Sequence, residues 1–152
     1  MEITLKPNYT FSEYSDSFGT FLKQRGSRYT HEKNIILHSV YEQDKSFTVD
    51  SLRKHLYRKN RYVSESTVYN TLNLLVESRL VLKHQFTSQE IPQYEKFNID
   101  RTHNYIYIED TQTVIEFSDS RVEEIINDMA KKYNVSPLRH SFVIYGNKIG
   151  KK

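Results

Sequence analysis

The chain has 152 residues, no cysteine and a net charge of +3, with 37% hydrophobic residues, which allows one domain of ordinary size or two small ones. The lack of cysteine excludes disulfides, thiol catalysis and every zinc site built on thiolates. No apolar run approaches the ~18 residues of a membrane span, and MEITLKPNYTF has no apolar signal region, so a soluble cytoplasmic protein is expected.

The small net charge hides an asymmetry. Residues 1–84 hold 13 Lys and Arg against 9 Asp and Glu, while residues 85–152 hold 9 against 10. The first half is therefore the one to meet an acidic partner. Met1 to Asp16 reads as a polar lead-in with scattered aromatics. Ser17 is placed to cap a first helix carrying Phe18, Phe21 and Leu22, which Gly26 ends. The turn GSRY then brings Arg25 and Arg28 together. Thr30 caps a second helix from His31 to about Tyr41, with Ile35, Ile36, Leu37 and Val40 apolar. After the loop EQDKS, Thr48 caps a third helix, with Val49, Leu52 and Leu56 at i, i+3 and i+7. From Ser51 to Tyr62, Arg53, Lys54, Arg58, Lys59 and Arg61 stand with no acid among them. A solvated helix face normally mixes signs.

Ser64 to Leu82 predicts one helix followed by a strand. Ser64 can cap it, and Glu65 suits the positive end of the helix dipole. Val68, Leu72, Leu75 and Val76 form an apolar face, while Ser66, Tyr69, Asn70 and Asn73 lie opposite. Such a face is either a plain surface or one made for a DNA major groove. Leu80 to Phe86 and Gln93 to Phe97 read as two strands around TSQEIP. Helix, helix, turn, helix and a two-stranded ribbon form a winged-helix pattern.

A boundary is expected after residue 98. His103 to Ile108 and Thr113 to Phe117 form a hairpin about Glu109–Gln112. Asp119 caps a helix with Val122, Ile125, Ile126, Met129 and Tyr133 on one face, and Asn134 ends it. Ser141 to Tyr145 is a last strand. The expected fold is α+β: a winged-helix DNA-binding domain (1–98), then a small α/β dimerisation domain (99–152). Pairing in a homodimer would protect its sheet edge.

LKQRGSRYT, STVYNTLNLLVESRLVLKH and HNYIYIEDTQTVIEFSD, in this order, resemble the ferric uptake regulator family across roughly Phe21 to Gly146. The resemblance implies a dimer that binds double-stranded DNA at an AT-rich palindromic operator and represses transcription when metal-loaded. Tyr69 matches the tyrosine of the family's TVY motif, which contacts thymine methyls and bases. Asn70 stands where the family usually has an arginine on phosphate. Arg28 matches a minor-groove lysine, and narrow AT tracts favour arginine there. Lys33 falls at a phosphate-binding arginine, and Ser66 and Thr67 lie where backbone N–H groups meet phosphate. Arg25, Arg58, Lys59, Arg61, Ser64 and Asn73 complete the DNA-facing set.

The metal sites depart from the family. Its four-cysteine zinc site is absent, because its first pair falls at Ile108 and Thr111. Apolar packing by Ile106, Ile108, Ile115 and Val143 is expected to substitute. Glu95, His103 and Glu116 match three regulatory ligands; a fourth has become Tyr105, and the interdomain histidine falls near Ser46. Of another site, Glu123 and His140 are kept, while its other ligands have become Thr102 and Asn104. The remaining donors could hold one divalent Zn, Fe or Mn weakly. They could equally be sheet histidines hydrogen-bonded to carboxylates. A ligand shifts two domain arrangements only if it binds one better, so reduced or altered metal dependence is expected. The alternatives are a winged-helix regulator with a non-metal ligand and an interaction module that no longer binds DNA. No nucleophile motif or phosphate loop suggests an enzyme.

Overall fold

The computed structural model describes residues 9–87, 90–97, 104–137 and 140–150. Four helices open the chain: α1 (Phe11–Gln24), α2 (His31–Tyr41), α3 (Val49–Arg58) and α4 (Glu65–Glu77). Strands β1 (Val81–His84) and β2 (Gln93–Lys96) follow. Then come β3 (Asn104–Ile108), β4 (Thr113–Phe117), α5 (Ser120–Tyr133) and β5 (Phe142–Gly146). The chain divides into two compact units, Met1–Ile99 and Asp100–Lys152.

The first helix begins earlier than Ser17, which lies inside it. Thr10 caps α1: its hydroxyl accepts from the Glu13 N–H at 3.2 Å, and the Glu13 carboxylate accepts from the Thr10 N–H at 3.2 Å. This reciprocal box satisfies two end donors at once. Tyr14, Phe18 and Leu22, four residues apart, form the buried face. Gly26, at φ +67°, ends the helix, and the Ser27 N–H reaches back to the Leu22 carbonyl at 2.9 Å. The same closure ends α3, with Asn60 at φ 56° and the Arg61 N–H on the Leu56 carbonyl at 2.9 Å. A left-handed residue followed by this long back-bond is what stops a helix sharply. Thr30, Thr48, Ser64 and Asp119 cap α2, α3, α4 and α5 as read from the sequence.

The core of the first unit joins Tyr14, Phe18 and Leu22 to Ile36, Leu37, Val40, Leu52, Leu56, Val68, Leu72 and Leu75. Strands β1 and β2 pair antiparallel, Val81 opposite Lys96 and His84 opposite Gln93. Phe47, in the loop before α3, adds a bridge to Tyr94, with both N–H···O bonds at 2.7 Å. The wing is thereby tied to the helices through the buried Tyr94 ring.

In the second unit the strand order is β4-β3-β5, with β3 antiparallel to β4 and parallel to β5. The parallel pair requires a crossover, which α5 supplies. The packing expected of Ile106, Ile108, Ile115 and Val143 is found only in part, Ile106, Ile108 and Val143 being half-buried. Among the described residues of this unit, Tyr105, Tyr107 and Val122 are the buried apolar ones, whereas Ile115 and Ile144 are 44% and 45% exposed. Ile106 lies opposite both of them in the ladder. Side chains alternate across a strand, so Tyr105 and Tyr107 share the face that this isoleucine row does not.

Candidate nucleic-acid interface

Helix α4 divides as its periodicity requires. Val68, Thr71, Leu72 and Leu75 are buried, and Ser66, Tyr69, Asn70 and Asn73 are exposed. Val76 packs at the edge of the core. Tyr69 is 43% exposed, so part of its side chain is open to a partner while the rest is covered. The Ser64 hydroxyl accepts from the Thr67 N–H at 3.2 Å and lies 2.7 Å from the Thr67 hydroxyl. That leaves other first-turn N–H groups directed outward beside Ser66, as an anion would require.

The basic run before α4 is less bare than its sequence suggests. Lys59 donates to Glu42 at 2.7 Å, and the same carboxylate lies 3.6 Å from Arg61, His55 and His38. Arg53 pairs with Glu65 at 3.0 Å and Lys54 with Asp50 at 3.0 Å. Arg25 pairs with Glu77 and stacks over the Phe21 ring. Among the described residues Arg58 and Arg28 enter no ion pair, and both are exposed. The Lys33 ammonium donates to the Arg28 carbonyl at 2.6 Å and to the Ser27 hydroxyl at 3.1 Å. Lys33 therefore shapes the turn that presents Arg28, and only its third proton is left for a phosphate.

Sequence reading missed Tyr57 and Tyr62, which stand 67% and 69% exposed at the α3–α4 turn. With Arg53, Lys54, Arg58 and Arg61 they line a cleft of 640 Å³. The signal was present in the spacing: Arg53, Tyr57 and Arg58 fall on one face of α3.

The metal-ligand candidates are differently placed. Glu95, on β2, is buried with a carboxylate oxygen 3.7 Å from His84 Nε2. Glu116, half-buried on β4, is opposite Tyr105. Glu123 is exposed in the first turn of α5, where its charge suits the helix dipole. His140 precedes β5 rather than lying in a strand, and its Nε2 is 3.0 Å from the Asn104 amide oxygen. His103 lies outside the described residues. Among the described residues no three His, Asp or Glu side chains gather into a donor set.

A winged helix whose recognition helix bares Tyr, Asn and Ser behind a basic turn defines a DNA-binding transcription regulator. Residues 24–145 match the sequence model of the ferric uptake regulator family. The chain is 28% identical over 141 residues to the ferric uptake regulation protein of Campylobacter jejuni, covering 91% of this chain and 88% of that protein. The Vibrio cholerae ferric uptake regulator structure superposes with a TM-score of 0.62 at 29% identity, over 86% of this chain and 98% of the other. The Pseudomonas aeruginosa ferric uptake regulator with manganese gives a TM-score of 0.74 at 22% identity, over 87% and 98%, a likeness of fold. This chain belongs to the ferric uptake regulator family, whose members are transcription regulators and not enzymes.

Proposed function

We propose that this protein is a dimeric, sequence-specific repressor in the cytoplasm that places α4 in the major groove of an AT-rich palindrome, with metal dependence reduced or altered from its family. The observation that carries this reading is the exposed Tyr69–Asn70–Asn73 face after a turn whose exposed Arg58 enters no ion pair among the described residues. Tyr69 and the asparagines read base edges and methyls, while Arg28, Arg58 and the Ser64–Thr67 turn meet backbone and minor groove. Arg25, Lys59 and Arg61 contribute charge that their carboxylate partners partly cancel.

The dimer reading is supported by the second unit, where Ile115, Ile144, Phe142, Ile125, Met129 and Tyr133 are 40% exposed or more. So much apolar surface in so small a unit suits a second copy. Altered metal dependence is supported by Tyr105 and Ser46 standing where the resemblance implies metal ligands, and by the absence of cysteine.

The test is binding of the purified protein to its own upstream region, first with chelator and then with added Mn, Fe or Zn. Tight specific binding that ignores the chelator is expected. Binding that appears only with metal would show that Glu95, His103 and Glu116 form a working site. Loss of specific binding in both conditions would replace the regulator by an interaction module.

A further inference from the structure

We propose that the outer face of α3 is a second DNA-backbone contact, its cleft taking a phosphodiester segment that flanks the bases read by α4. The inference rests on the DNA-binding reading and adds Arg53, Lys54, Tyr57 and Tyr62 to it. Asp50, Arg53, Lys54, Tyr57 and Arg58 recur at i, i+3, i+4, i+7 and i+8, all exposed, while Val49, Leu52 and Leu56 are buried on the other side of the helix. The fold needs only the buried side. The outer side is nonetheless specific: four cations and one carboxylate line a 640 Å³ cleft. Tyr57 and Tyr62 meet edge to face there, ring centroids 5.4 Å apart. The exposed Tyr57 phenol beside the arginines offers a neutral O–H donor to phosphate oxygens. The Tyr62 O–H donates to Asn60 Oδ1 at 3.3 Å, a long bond between exposed groups that a phosphate can replace. Both rings offer surface to a sugar while the guanidinium forks supply charge.

The cleft ends at Val63 and Ser64, immediately before the first turn of α4. A strand whose bases face Tyr69 and Asn70 runs past this edge, which favours duplex backbone over a free nucleotide as the source of the phosphate. Glu65 marks the same place. Its carboxylate holds Arg53 at 3.0 Å, with both side chains well exposed. Such a pair is weak, and an arriving phosphate can take Arg53 from it.

The test uses the full-length protein and a random-sequence duplex, with affinity measured across a salt series. Because each phosphate contact contributes roughly 0.9 to the slope of log K against log salt, Arg53→Ala with Arg58→Ala should make that slope shallower by about two. Tyr57→Phe with Tyr62→Phe should weaken binding about threefold at an unchanged slope, since a phenol donates without releasing a counterion. Glu65→Gln should tighten binding about threefold by freeing Arg53, and the gain should vanish once Arg53 is alanine. A gain of affinity does not arise from misfolding. An unchanged slope, or a Glu65→Gln gain that survives Arg53→Ala, would overturn the proposal. So would AMP or inorganic phosphate binding that needs Arg53 while the duplex slope does not. A wild-type protein that binds no duplex even at low salt would instead overturn the DNA-binding reading itself, which is a distinguishable result.

Discussion

The carboxylate of Glu42 lies 2.7 Å from the ammonium of Lys59, tying the C-cap of α2 to the turn that launches the recognition helix. Arg61, His55 and His38 face the same group at 3.6 Å. The Lys59 hydrogen bond is the largest influence holding the Glu42 carboxyl below its ordinary pKa, against the opposing effect of partial burial, with His55 and His38 adding to it. A carboxyl with a depressed folded pKa stabilises the fold above its unfolded value and loses that contribution as pH falls through the folded value. Glu42→Gln is therefore expected to cost about 1 kcal/mol at neutral pH, the upper range for a partly exposed pair. The difference from wild type should close as the pH drops below the usual carboxylate range. Thermal melts of both proteins from neutral to acid pH would show it. A pH-independent difference would mean that Glu42 acts through packing.

Tyr69 should separate base reading from backbone binding. Tyr69→Ala is expected to weaken operator binding by at least about tenfold, since base-edge discrimination is worth roughly 1–3 kcal/mol, and to leave binding to random duplex nearly unchanged. Anisotropy titrations on both duplexes measure the two affinities. Equal losses would make Tyr69 a general contact and shift base reading to Asn70 and Asn73.

Asn60 occupies the left-handed region at φ 56°, where a side chain with a Cβ is disfavoured by about 1–2 kcal/mol and asparagine is among the better-tolerated residues. Asn60→Gly should leave the melting temperature level or slightly higher. Asn60→Val should lower it by several degrees and misdirect Arg61, whose N–H closes the turn on Leu56. A valine variant with an unchanged melting temperature would show that the turn relaxes without strain.

Much of this was legible in the chain, and the misses have physical causes. Apolar spacing marks the inner faces of α3 and α4, because burial imposes the helical repeat directly, whereas on α5 only Val122 of the expected stripe is buried and Ile125, Met129 and Tyr133 are exposed. The start of α1 lies at Phe11 rather than after Ser17, where Thr10 and Glu13 spell a capping box; Phe11 and Tyr14 look like scattered aromatics until Tyr14 is seen to open the buried stripe that Phe18 and Leu22 continue. Ile115 on β4 reads as core in the sequence because apolar character does not say which sheet face is covered within one chain. The basic run looks uncompensated in the sequence because, apart from Asp50 one turn before Lys54, its partners come from elsewhere. Glu42 precedes Lys59 by 17 positions and Glu65 follows Arg53 by 12, and nothing local announces either pairing.

The proposed reduction in metal dependence can be tested apart from DNA. A ligand that binds only the folded state stabilises it by about 2.7 kcal/mol when present at 100 times its Kd, and a chain of this length would then melt several degrees higher. His140 Nε2 lies beside the Asn104 amide oxygen, Glu123 stands in solvent, and Tyr105 and Ser46 stand where the resemblance implies two of the regulatory ligands. Chelator should therefore leave the melting temperature of the purified protein unchanged, and micromolar Mn, Fe or Zn should raise it by less than a site of that strength requires. A rise of several degrees that disappears in both Glu116→Ala and His103→Ala would establish a bound ion on those two residues. A rise that survives both substitutions but is lost in His140→Ala would place the ion beside Asn104 instead, and either result would return the effector of this regulator to a metal.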